Sequence, residues 1–407
     1  MKAKISPTSR KGFMPSRRVK SKPVKQLDES QFEEFYAGTD DREVSTTMVF
    51  VRILAKLLRD KEVGNLVVPI VPDEARTFGM EALFRQVGIY SNVGQLYDPV
   101  DRESLLYYKE AKNGQILEEG ITESGSMSSF IAAGTAYSTH NVNTIHFYIF
   151  YSMFGLQRIG DLVWAAGDMQ VRGFLLGGTA GRTTLAGEGL QHQDGNSHIL
   201  VFYYITVMNE NYAQPAMPKG KAVKEGIIKG MYKLSASKKK NAKGYANLFG
   251  SGSILNKAVL ARDILEKKYN IAADVWSVTS YKELHYDAIK VERENMLNPG
   301  KKAKLPYVAE ALKDAKGVFV AASDYVRALP ESIAKWVPGK LFTLGADGFG
   351  RSDGRRHLRE FFEVDERFIV LAALYQLMQE GTVKDDLVKK AIKDMDIDTN
   401  KSNPIIS

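Results

Sequence analysis

The sequence predicts an α/β protein built from two doubly wound modules, and three observations carry that reading. Short apolar runs alternate with amphipathic stretches, the pattern of a mostly parallel sheet covered by helices on both faces. The pattern occurs twice, over residues 44–217 and again over 244–407, with a Lys-rich linker at 218–243 between them. The chain has 407 residues, 44% of them hydrophobic, which is enough apolar surface for two cores. With 34 Gly, 13 Pro and 26% charged residues, the composition excludes a fibrous or wholly disordered chain.

The elements follow in order. Residues 1–43 read as a basic lead-in and linker, with nine Lys or Arg and no acid over residues 1–27. No apolar signal core lies there, and Pro7, Pro15 and Pro23 interrupt the amphipathic helix of an organelle transit peptide. Ser45 is an N-cap for a helix whose Val51, Leu54, Ala55 and Leu58 recur at i, i+3, i+4 and i+7. Leu66–Val71, Thr144–Tyr151 and Phe174–Leu176 read as strands, with a small-residue helix over Ser126–Thr139. In the second block Tyr245–Phe249 is a strand, Gly250–Gly252 a tight turn, and Ile254–Lys267 a helix with Leu255, Val259, Arg262 and Leu265 on one stripe. Ala273–Val278, Gly317–Ala322 and Leu341–Leu344 are further strands. Ile199–Met208 is ten apolar or near-apolar residues in a row, long for one strand and without room for the crossover that two parallel strands need.

Composition narrows the function. The chain has no Cys, which excludes disulfides, thiolate metal sites and Cys nucleophiles and fits a reducing, cytoplasmic setting. The longest stretch free of Asp, Glu, Lys and Arg, Ser124–Gln157, is studded with Ser, Thr, Asn and His and reads as protein core rather than a membrane span. The formal charge of +8 is concentrated in residues 1–27 and in Lys219–Lys243. Neither run has interleaved aromatics at a stacking spacing, so a solvated tail and joint are expected, not a nucleic-acid surface.

Several residues could carry chemistry. Glu123 borders the uncharged stretch, where partial desolvation would raise a carboxyl and suit it to acid–base work; the plainer reading is a glutamate facing a helix N-terminus. Asp73 and Glu74 follow the Leu66–Val71 strand, where open α/β sheets bind ligands, though a capping role fits equally. Glu188 and His192 stand four apart in a Gly-rich polar loop over Thr183–His198 that lacks zinc-binding spacing. Tyr151 and Phe154 close a strand and could stack on a flat ring or simply pack in the core. The Gly250–Gly252 turn could cradle a phosphate, but one such turn more simply joins a strand to a helix.

Together these segments resemble one family. PIVPDEARTFGMEALFRQVGIYS (Pro69–Ser91), GQILEEGITESGSMSSFIAAGTAYSTH (Gly114–His140), the YSMF…GEGLQHQDG stretch (Tyr151–Gly195) and VMNENY (Val207–Tyr212) resemble the homodimeric type of pyruvate dehydrogenase, the thiamine-diphosphate-dependent decarboxylating component of its complex. The resemblance implies transketolase-like pyrimidine-binding and C-terminal domains, and decarboxylation of pyruvate with acetyl transfer to a lipoyl group. It implies a homodimer and a dihydrolipoyl acetyltransferase partner. By motif, Glu123 in GITESG matches the glutamate that exchanges a proton with the aminopyrimidine. Tyr151, Phe154, Asp73 and Ile121 match cofactor contacts, and Glu74, Glu188 and His192 match groups toward the substrate.

Departures from the pattern are expected to matter. No Gly-Asp-Gly motif for Mg²⁺ and diphosphate occurs, so those ligands are expected in an N-terminal domain that this chain does not carry. The family's loop, helix and part-strand between Leu200 and Val201 are absent, and Asn196 and His146 replace the usual His and Pro; the latter change is expected to loosen the turn into Phe147–Tyr151. The alternative is an inactive truncated fragment that acts at most as a dimerisation module.

Overall fold

The computed structural model describes residues 21–72, 75–99, 108–184, 186, 192–194, 204–348 and 350–406, apart from the Phe154 side chain. The chain forms two compact units whose boundaries interleave. The first gathers Glu43–Ala180 and Leu200–Asn211; the second gathers Gly181–Ile199 and Tyr212–Ser407, with short N-terminal pieces in each.

In the first unit a five-stranded parallel sheet comprises β1 (Val67–Val71), β2 (Leu117–Glu118), β3 (Ile145–Tyr151), β4 (Phe174–Gly178) and β5 (Tyr204–Thr206), in the spatial order β2-β1-β3-β4-β5. Its helices are α1 (Thr46–Arg59), α2 (Glu81–Val87), α3 (Glu123–Thr139) and α4 (Ser152–Asp168). Ser45 caps α1 by accepting from the Met48 N–H at 3.1 Å. Strand side chains alternate between faces. Val67, Val71, Phe147, Ile149 and Leu176 pack with α1 and α2, whereas Ile70, Tyr148, Phe150 and Leu175 pack with α3 and α4. The chain passes from β1 out to β2 and then back across to β3, so the winding reverses between the carboxyl ends of β1 and β3.

The second unit repeats this arrangement. Its elements are α5 (Lys221–Lys229), β6 (Met231–Ser235), β7 (Gly244–Gly250), α6 (Ile254–Lys268), β8 (Ile271–Val278), α7 (Tyr281–Leu297), α8 (Tyr307–Leu312), β9 (Val318–Ala322), α9 (Ala328–Glu331), β10 (Leu341–Leu344), α10 (Arg355–Phe361), α11 (Glu366–Gln379) and α12 (Asp385–Asp394). The order β6-β8-β7-β9-β10 places the reversal between β7 and β9; only the edge strand β6 runs antiparallel.

Three expectations change. The Lys-rich stretch contains α5 and β6, joined at Gly230 (φ +108), where a Cβ would stand 2.4 Å from the Ser280 carbonyl oxygen. The strand carries one lysine, Lys233, which pairs with Asp274 at 2.6 Å and lies over the Trp276 ring; the other lysines of the stretch flank it, and their charge concealed the pairing. The buried stripe of α6 is Ile254, Ala258, Ala261 and Leu265, because α6 packs on the sheet and beside α11, which also packs on it, and small residues permit that close approach. Arg262 turns away to Asp263 and the Ser235 hydroxyl. Finally, His146 does not loosen the entry to β3. It is fully buried within the strand opposite Val68, its Nδ1 2.9 Å from the Thr144 hydroxyl and its ring edge-on to Phe130. Burial lowers its imidazole from 6.5 to about 4, against smaller opposing effects from the Arg172 and Thr144 backbone.

Candidate functional site

Glu123 begins α3, just beyond the carboxyl end of β2. Thr122 fixes the helix start: its Oγ1 accepts from the Gly125 N–H at 3.2 Å. This places a carboxylate in the first turn, where the helix dipole favours negative charge. Glu123 is only 8% exposed. Its Oε1 accepts from Arg158 of α4 at 2.5 Å, and among the described residues no hydrogen bond to Oε2 is present. The two charges that bound the uncharged stretch therefore meet in space. Arg158 was not singled out in the sequence, although its position as the next charge after Glu123 was the available signal. Below them, the buried Tyr148 hydroxyl donates to the Glu123 carbonyl oxygen at 3.2 Å. Burial, with Glu123 nearby, raises that hydroxyl's pKa.

Tyr151 ends β3 at the same carboxyl edge of the sheet, on the α1–α2 side. Its ring centroid lies 5.2 Å from that of Phe78. Phe78 in turn presses on Gly178 at the end of β4, where a Cβ would stand 2.2 Å from the Phe78 ring. Gly178 and Phe78 thus set the place of Tyr151, a support that sequence patterning missed because the three residues are far apart in the chain. Ile121, two residues before Glu123, is 80% exposed. Ile121, Glu123 and Tyr151 thus all stand at the carboxyl edge of the sheet, with Tyr151 on the face opposite α3. Asp73, Glu74, Glu188 and the Phe154 side chain lie outside the described residues.

His192 is half-buried and belongs to the second unit. That unit's reversal point is occupied by the chain itself. Asp324, which follows β9 and is fully buried, accepts from the Thr183 N–H at 2.9 Å and 3.2 Å on its two oxygens and from the Thr183 hydroxyl at 2.5 Å. Arg359 donates to the same hydroxyl at 3.3 Å and to the Ser253 hydroxyl at 3.3 Å. Ser251 and Ser323, following β7 and β9, hydrogen-bond to each other at 3.2 Å. The turn at Gly250–Gly252 thus joins β7 to α6 beside a crevice filled by protein. Among the described residues, no group of three or more His, Asp or Glu side chains gathers as a metal site, and no helix is long and apolar enough to cross a membrane.

Comparison with known proteins gives this geometry a lineage. Residues 23–201 match the family model described as pyruvate dehydrogenase E1 component middle domain. Residues 230–365 match the transketolase-like TK C-terminal domain. The pyruvate dehydrogenase E1 component of Pseudomonas aeruginosa is 53% identical over 97% of this chain and 48% of its own length. That of Escherichia coli K12 is 47% identical over the same shares. The chain spans about half the length of the curated relatives it matches. The aligned stretch with the Pseudomonas protein runs to 430 residues, more than this chain contains, so the relative carries residues inside it that are absent here. Among solved structures, transketolase from Campylobacter jejuni (TM-score 0.58, 16% identity, 86% of this chain and 48% of that one) shares the fold. Transketolase from Pichia stipitis (TM-score 0.58, 14% identity, 84% and 47%) does so as well. Two transketolase-like modules in this order, at this level of identity, make the chain a member of the pyruvate dehydrogenase E1 family.

Proposed function

We propose that the chain supplies the aminopyrimidine side of a thiamine-diphosphate site in the decarboxylating component of a pyruvate dehydrogenase. The observation that carries this reading is Glu123: a buried carboxylate at a helix N-terminus, on the carboxyl edge of a parallel sheet, with one oxygen held by Arg158. When bound, thiamine diphosphate supplies a carbon nucleophile and an electron sink for decarboxylation of a 2-keto acid. The residues present fit one end of it. Oε2 of Glu123 is the atom that exchanges a proton with a ring nitrogen, while the Arg158 bond on Oε1 and the Thr122 cap keep the carboxylate from turning. Tyr151, seated on Phe78, and Phe154 bound the ring; Ile121 adds an apolar edge, and Asp73 lines the cleft. Glu74, Glu188 and His192 serve the substrate end, which takes pyruvate, with acetyl transfer to a lipoyl group on the dihydrolipoyl acetyltransferase. Mg²⁺ and diphosphate ligands belong to a domain outside this chain, and assembly is as a homodimer in the cytoplasm.

The test is reconstitution. The chain is mixed with a separately made diphosphate-binding half from a relative, thiamine diphosphate and Mg²⁺, and pyruvate decarboxylation is assayed. Turnover is expected; its absence with both parts folded removes the reading. The residues missing relative to the Pseudomonas protein favour a second reading, an inactive fragment that at most dimerises. A cofactor-dependent rise in melting temperature in the mixture counts against it.

A further inference from the structure

Residues on both sides of His192 are tied to more distant parts of the second unit. The Gly181 N–H donates to the Asp194 carbonyl oxygen at 3.0 Å, which brings these two residues together. On the leading side, Arg182 donates to the carbonyl oxygens of Ala346 and Gly348 at 2.5 Å each, and Arg355 donates to that of Thr184 at 2.5 Å. On the trailing side, the Gln193 side chain accepts from the Arg351 N–H at 2.7 Å and donates to the Arg351 carbonyl oxygen. His192 is the residue immediately before that clamp.

Asp324 stands at the centre. A carboxylate there accepts from the N–H and the hydroxyl of Thr183 at once, fixing that residue's backbone and rotamer together. Arg359 supplies a donor to the Thr183 oxygen, so the hydroxyl proton is left directed at Asp324. Gly181 closes the arrangement: with φ at +87, and with a Cβ position 2.3 Å from the Asp324 carboxylate, only glycine brings the chain this near. A buried charge so fully bonded has one arrangement, not a range of them.

We infer that Asp324 is a positioning residue which, through Thr183, fixes the loop bearing His192. This role rests on the reading of His192 as a substrate-side group. The anchor itself is tested without chemistry, by hydrogen exchange at the Thr183 amide and by trypsin cleavage after the buried Arg182 in the full chain. Asp324→Ala is expected to accelerate both by about tenfold or more through local opening; unchanged protection overturns the anchor. In the reconstituted enzyme, Asp324→Ala is expected to lower kcat by about a hundredfold through misplacement, with thiamine-diphosphate affinity held within about twofold because its contacts lie elsewhere. If Asp324→Ala does not fold, Thr183→Val keeps the bulk, removes the hydroxyl and should lower kcat in the same direction, whereas Thr183→Ser should retain the rate. Lost protection with unchanged kcat overturns the positioning role. Absence of turnover in the unsubstituted enzyme counts against the functional reading, while the exchange result still decides the anchor.

Discussion

The two units wind their parallel strands in the same order and use the place where the winding reverses in opposite ways. In the first, the carboxyl edge holds Glu123, a carboxylate with one bonded oxygen, together with the exposed Ile121 and, on the opposite face, Tyr151. In the second, the chain's own Gly181–Thr184 fills the reversal point and Asp324 is satisfied on both oxygens. A doubly wound sheet supplies a crevice in each case. Whether it becomes a site depends on which polar groups are left with capacity. The second unit spends its crevice on holding its own Gly181–Thr184.

The largest expected effect breaks the comparison at its chemical end. Glu123→Gln should lower pyruvate decarboxylation in the reconstituted enzyme by about a thousandfold, the scale of a lost acid–base group, with the chain's melting temperature nearly unchanged. Equal activity would leave the two crevices with no functional difference.

Acid should separate the units next. The buried His146 of the first unit titrates at about 4 against 6.5 when unfolded. Between those values the unfolded chain binds more protons, so stability rises with pH and is lost as pH falls from 6.5 toward 4. The full difference is ~3 kcal/mol. In the second unit, Glu366 opposes its own burial with its backbone N–H and Lys257, which hold its carboxyl below 4.5, so its contribution is lost only below that value. Urea unfolding of the full chain at pH 7 and pH 5 should show the decline, and His146→Phe should flatten it.

Packing of the segment in the second unit gives a smaller effect. Burial pushes the Arg182 guanidinium's pKa down while Asp194, Asp324 and Asp347 push it back up. Arg182→Met leaves two carbonyl oxygens without their donor and should destabilise the second unit by ~2 kcal/mol, read as a lower urea midpoint. The smallest change sharpens the first site. Gly178→Ala forces the Phe78 ring aside and should cost ~1 kcal/mol in stability, while weakening thiamine-diphosphate binding several-fold in a titration because Tyr151 rests on that ring.

Much of this molecule was legible in its sequence. Ser45, the Val67–Val71 and Ile145–Tyr151 runs and the Leu341–Leu344 strand carry local signals, since capping and apolar periodicity act within a few residues. β6 was hidden because it lies within a Lys-rich stretch, although the strand itself, Met231–Ser235, carries only Lys233. The Glu123 position was legible as the border of an uncharged run, but its Arg158 partner was not, because ion pairing across α3 and α4 is a matter of helix packing. The sequence by itself determined the two α/β modules, their order and the residue types at each strand end, because those follow from local propensity and spacing. Only the tertiary structure decided that Thr183 is fastened to Asp324 and Gln193 to Arg351 within the second unit, because hydrogen bonds between residues more than a hundred positions apart leave no periodicity in the chain.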